Sequence, residues 1–182
     1  MNTNETTQVL RALGWRAFID DVGDKYTHFH LPDRTVQIIY GIRKSGMEQQ
    51  LEATLSASTD AFSKACKAIS PEHGSYAPLV RSIKGLRYQK PEIREEHVRL
   101  ASDKAIAWGL QQDLDGALRD HAALPTDAPG ARPIWHLAAL ILLGDMETLK
   151  LYQASFEAGD RLGFVPYVTK DYIDRAVALA EN

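Results

Sequence analysis

The chain has 182 residues, 45% of them hydrophobic and 25% charged, with a net charge of −3. That length buries a core without staples, and the composition excludes a disordered or low-complexity chain. Residues 1–90 carry 12 basic and 9 acidic groups, and residues 91–182 carry 9 and 15, so the halves differ by sign. The asymmetry suits either solvated surfaces or complementary faces in a homodimer. The one cysteine, Cys66, has no internal disulfide partner and sits in an apolar helical pattern, which points to a buried thiol in a reducing compartment. The N-terminal stretch lacks the basic flank and apolar run of a signal peptide, so a cytoplasmic protein is expected. The most apolar run, residues 134–143, is about half of the ~20 residues that cross a bilayer, and no membrane partner is expected.

Asn4 is positioned to cap a first helix carrying Val9, Leu10 and Leu13, with Gly14 as its left-handed stop. Four runs of alternating polarity follow, separated by Asp21-Val22-Gly23-Asp24, Pro32-Asp33 and Ser45-Gly46-Met47-Glu48. They predict a four-stranded antiparallel meander over residues 14–58. A tight turn at Pro32-Asp33 pairs Phe29 with Val36 and Thr27 with Ile38. The turn at Ser45 to Glu48 pairs Ile42 with Leu51, Tyr40 with Ala53 and Ile38 with Leu55, so three strands agree on one apolar face. The first strand, residues 15–20, stays open in register: pairing Asp20 with Lys25 would turn Trp15, Ala17 and Ile19 to the polar side.

Thr59 and Asp60 open a helix whose Phe62, Cys66 and Ile69 are spaced to cover the apolar side of the sheet. The order over residues 1–70 is α-β-β-β-β-α, the first of two expected segments of one body. Residues 71–182 form the second, a helical bundle packed on the sheet. Within it, residues 79–88 read as either a short helix or an extended segment, with the helix preferred. Residues 92–112 follow as a long helix from Pro91, with Ile93, His97, Ala101 and Trp108 inward. Further helices are expected from Asp113 to about Ala123, and over 134–143, 146–158 and 170–179, with a turn at Gly144-Asp145. The turns at Asp113-Leu114-Asp115 and Asp145-Met146-Glu147 echo one another, but two copies make a bundle rather than a solenoid.

The polar sheet face is the candidate binding surface, with Tyr26, His28 and His30 on one strand, Gln37 and Arg43 on the next, and Glu52 and Thr54 on the last. His28 and His30 project to one side and offer two imidazoles, but a metal needs a third ligand, and no metal or cofactor is expected. Acid–base work by the pair needs a pocket and a tuning partner. Arg43 and Glu52 read as a surface ion pair. His73-Gly74-Ser75 lacks the strained turn of a nucleophilic serine, and the glycines of residues 159–164 lack phosphate-loop spacing. Arg81, Lys84, Arg87 and Lys90 recur every three residues, but Glu92, Glu95 and Glu96 follow at once, which disfavours nucleic acid as a partner.

The N-terminal helix, the meander over residues 14–58 and the helix from Thr59 together resemble the front part of bacterial type III secretion chaperones. That resemblance implies a small cytosolic homodimer that holds a protein partner in extended form. Those chaperones are usually more acidic and carry later strands where this chain has helical pattern. The expected function is a non-catalytic protein-interaction protein, chaperone-like or immunity-like. The alternative is a small hydrolase or metal-dependent enzyme using the His28 and His30 face.

Overall fold

Asn2, and not Asn4, starts the first helix. In the computed structural model, which describes every residue except Asp20, Asp21, Val22, Asp24, His73 and Asn182, helix α1 spans Thr3–Ala12. The Asn2 side chain accepts from the Asn4 and Glu5 amides while the Glu5 carboxylate accepts from the Asn2 amide, a reciprocal cap that Asn4 has no partner to form. Gly14 then takes a positive φ of 92° and turns the chain into the sheet.

The protein is α+β, and the meander forms as the alternation predicts: β1 Arg16–Ile19, β2 Lys25–His30, β3 Thr35–Ser45 and β4 Glu48–Ser58 lie side by side in chain order. The β2–β3 register pairs Thr27 with Ile38 and Phe29 with Val36, as the Pro32-Asp33 turn requires. Strand β1 pairs Ile19 with Lys25 and Ala17 with Thr27. Trp15 therefore enters the core, where its ring lies 5.3 Å from Phe29, and the polar side receives Arg16 and Phe18. The first turn, at Asp21-Val22-Gly23-Asp24, lies largely outside the described residues.

Residues 79–88 are not a helix. Val80–Arg81 (β5) and Leu86–Lys90 (β6) both run antiparallel to β4, the first opposite Ser56 and Ala57 and the second opposite residues 49–53. The two registers differ by two residues, so β5 and β6 amount to one strand broken by a bulge at 82–85. The bulge is fastened by Ser82, whose amide donates to Leu55 O and whose hydroxyl accepts from the Leu55 amide. Gly85 is required there, because its φ is +61° and a Cβ would lie 2.5 Å from Ala53 O. Strand pairing along β4 decides the conformation of a segment whose own pattern favours neither form.

Helix α2 spans Asp60–Ile69, capped by the Thr59 hydroxyl, with Phe62, Cys66 and Ile69 buried. Burial pushes the Cys66 thiol up to about 12, so it is an inert core group. The covering role expected of α2 over the sheet belongs to α1 and to α3, Glu95–Leu110. Their Leu10, Val98, Ala101 and Ala105 share one core with Trp15, Val36, Ile38, Tyr40, Leu51 and Leu55. Ile93 joins that core ahead of the helix, while His97 is partly exposed and accepts from the Arg94 amide at its start.

The remaining helices are α4 Leu114–Ala122, α5 Arg132–Leu143, α6 Met146–Glu157 and α7 Lys170–Ala180. Asp113 and Asp145 cap α4 and α6 in the same way, each carboxylate accepting from the amide three residues on. Two compact units result. The sheet unit holds Met1–Ala57 and Val80–Gln112, and the helical unit holds Ser58–Leu79 and Asp113–Asn182. Helix α2 belongs to the second, packed on α5 and α7, so a division of the chain after residue 70 falls inside the helical unit.

Candidate functional site

The outer face of the sheet, opposite α1 and α3, carries every residue singled out from the sequence, but in two clusters. The first gathers Tyr26, His28, His30 and Gln37 with Phe18 and Ser56. The registers align Arg16, His28 and Gln37 in one row and Phe18, Tyr26 and Ile39 in the next. Phe18 stacks on Tyr26 at 5.3 Å, and both rings flank His28 at 5.0 and 5.3 Å. Enclosed in this way His28 is only 6% exposed, and burial, aided by the charge of His30, lowers its pKa from 6.5 to about 4. It is a neutral imidazole at physiological pH.

Gln37 connects His28 to Ser56. The Ser56 hydroxyl donates to Gln37 Oε1 at 3.1 Å, which turns the amide nitrogen toward His28 Nε2 at 3.0 Å. A neutral His28 then accepts at Nε2 and carries its proton on Nδ1. Ser56 points its proton at an amide oxygen rather than at an imidazole, so the two do not form a nucleophile–base pair. His30 lies edge-on to His28 with ring centroids 6.2 Å apart, and its Nδ1 is bonded to the Thr35 hydroxyl at 2.9 Å. Among the described residues no three His, Cys, Asp or Glu side chains gather as a metal site.

The second cluster joins Arg43, Glu52 and Thr54 to β6. The Glu52 carboxylate accepts from Arg43 at 2.9 Å, Arg87 at 2.9 Å and Gln50 at 2.7 Å. The Arg43–Glu52 pair expected from the sequence is present, and Arg87 is the partner that reading β6 as a helix hid. Thr54 is exposed and, with Glu52 and residues 82–87 of the bulge, lines an open hollow of about 410 Å³.

A third feature adjoins the first cluster at the sheet's edge. Asn4, Thr7, Gln8 and Arg11 of α1 and Ala17, Phe18, Ile19 and Lys25 of the strands enclose a hollow of about 310 Å³. The α1 residues recur at one helical face, a pattern that any solvent-facing stripe shares, which is why the sequence does not mark them. Exposed apolar side chains concentrate nearby: Phe18 at 41%, Ile39 at 43% and Ile19 at 66%.

In the helical unit the titratable groups serve packing. His136 bonds the His121 carbonyl through Nδ1 at 3.2 Å and the Tyr152 hydroxyl through Nε2 at 3.0 Å, and His121 bonds Leu79 O at 3.0 Å. Burial lowers the pKa of both histidines. Gly159 and Gly163 have positive φ and form the stop and turn after α6, and Phe164 is buried against Tyr152 and Phe156. His73 of His73-Gly74-Ser75 lies outside the described residues.

A family model described as a family of unknown function, DUF6990, matches residues 2–181, and so takes in both units. The chain belongs to DUF6990. No curated protein and no solved structure matches it. For this DUF6990 chain the functional reading therefore rests on the geometry above. No helix among the described residues is long and apolar enough to cross a membrane.

Proposed function

We propose that the chain is a small cytoplasmic protein-interaction protein, chaperone-like or immunity-like, that acts by binding a protein partner rather than by catalysis. The observation that supports this reading is the row Phe18, Tyr26 and Ile39 on the outer face of three adjacent strands, with Ile19 beside it. Contiguous exposed apolar side chains rimmed by polar groups are the mark of an interaction surface. Arg16, His30 and Gln37 supply the polar rim. The partner is another protein, a second copy of the chain included, and neither a membrane nor a nucleic acid.

The test is affinity purification of the intact protein from its native cell, together with its mass in solution. A stoichiometric protein partner or a homodimer is expected, and either should be lost when Phe18 and Ile39 are both replaced by serine. Repeated recovery of a partnerless monomer overturns the reading.

A further inference from the structure

Strand β1 is an edge of the sheet, and among the described residues it pairs only with β2. Sheet edges offer unpaired backbone groups to any passing strand, and proteins blunt them with bulges, prolines or charges. The opposite edge is blunted in this way by the bulge at 82–85 with Lys84 at its tip. Strand β1, Arg-Ala-Phe-Ile, has no bulge and no proline, its one charge is Arg16 at the start, and two of its four side chains are large, apolar and exposed.

What lies beyond that edge is a built space. Ala17 and Ile19 face the same side of the sheet as Thr27 and Ile38, the core side, yet Ile19 is 66% exposed, and among the described residues no strand lies beyond it. The hollow of about 310 Å³ stands between them and α1. A strand added alongside β1 would send every second side chain into it. The α1 stripe that would meet those side chains is Asn4, Thr7, Gln8 and Arg11, and Lys25 completes the lining with its ammonium held by Asn4 Oδ1. One cation, two amides and a hydroxyl line the helical side, and Lys25 adds a second cation from β2. On the outer side, the neighbours of an added strand would be Phe18 and Arg16.

We propose that β1 is the docking edge for an extended segment of a partner protein, which adds as a further strand and places an acidic side chain in the hollow between Arg11 and Lys25. The residues flanking that acid face outward, and those beside Phe18 are apolar. The recognised pattern is therefore apolar–acidic–apolar. Backbone pairing supplies the adhesion, and the charge and the alternation supply the choice of partner. This proposal rests on the interaction reading above and names the surface and the chemistry of what it binds.

The experiment selects random displayed peptides of about twelve residues on the intact protein. The strongest is then synthesised and its affinity measured for the native chain and for Arg11→Glu, Ile19→Lys and Ile83→Lys. Arg11 and Ile19 are exposed, and Ile83, fully exposed on the bulge, is the control. Expected are enriched sequences sharing the apolar–acidic–apolar triplet, and an affinity about tenfold or more weaker for the first two variants with Ile83→Lys unchanged. Slowed amide exchange over Arg16–Ile19 in the complex is also expected. Enriched peptides without an acid, equal affinity for all four proteins, or protection elsewhere overturns the proposal. Recovery from the native cell of a stoichiometric partner that Arg11→Glu and Ile19→Lys still bind leaves the interaction reading standing and removes β1 as its site. A homodimer that Ile19→Lys dissociates assigns the edge to a second copy and likewise overturns the acidic segment. Absence of both peptide and partner removes both readings.

Discussion

Burial decides the chemistry of His28. Two aromatic rings and His30 surround it, and its pKa falls from 6.5 to about 4. A base whose folded pKa is depressed leaves the unfolded chain holding more protons between those two values. Its contribution to stability is therefore full above about pH 6.5 and is lost as the pH falls toward about 4. At about 1.4 kcal/mol per unit, and reduced for the solvent at its rim, the loss from pH 7.5 to 4.5 is about 2 kcal/mol. Urea unfolding across that range should show His28→Gln losing less stability on acidification than the native chain by about that amount. The remaining slope belongs partly to His121 and His136, whose pKa values burial also lowers. An unchanged slope in His28→Gln would mean that the imidazole is solvated and that the Gln37–His28 bond does not persist. That His28 and His30 share a face was legible in the spacing of the two residues. The burial of His28 was not, because it depends on Phe18 arriving from a strand whose register the Asp21-Val22-Gly23-Asp24 turn left open.

At the scale of elements, the two hairpins were legible where turn chemistry and alternating polarity agreed, as at Pro32-Asp33 between Phe29 and Val36. Residues 79–88 were not, since a short strand broken by a bulge has neither period, and its conformation is imposed by β4. The covering of the sheet by α3 was likewise concealed, because it depends on one small residue at the end of the helix. Gly109 sits where a Cβ would come within 2.3 Å of Val36 Cγ2 on β3, so the helix approaches the strand more closely than alanine permits. In an open helix Gly→Ala stabilises by about 1 kcal/mol, whereas overpacking a core costs about 1–3 kcal/mol. Gly109→Ala should therefore be destabilising by about 1–2 kcal/mol in thermal or chemical unfolding. In a Val36→Ala background the same change should become neutral or stabilising, since the obstructing methyls are gone. Equal effects in both backgrounds, measured as a double-mutant cycle, would mean that α3 does not meet β3 at this point.

On the scale of the whole molecule, the chain leaves the sheet unit after Ala57, returns at Val80 and leaves again after Gln112. No composition shift marks those crossings, and nothing in the pattern of α2 or α3 names the unit it joins. What separates them is partner shape. Phe62, Cys66 and Ile69 are each fully buried within the helical unit, and Arg175 of α7 donates to Ile69 O at 2.7 Å to close the end of α2. Burying one large apolar side chain contributes about 1.5–3 kcal/mol, so α2 supplies on the order of 5 kcal/mol. That is comparable to the ~5–15 kcal/mol total of a small domain. Residues 113–182 alone should therefore fail to unfold cooperatively and should bind a hydrophobic dye through the exposed faces of α5 and α7. Restoring residues 58–79 through a flexible linker to Asp113 should recover a sigmoidal melt by circular dichroism. Such a connection is reasonable because Leu79 O already lies 3.0 Å from His121 Nε2 on α4. A cooperative melt from residues 113–182 by themselves would show that α2 is an accessory to the helical unit and not part of its core.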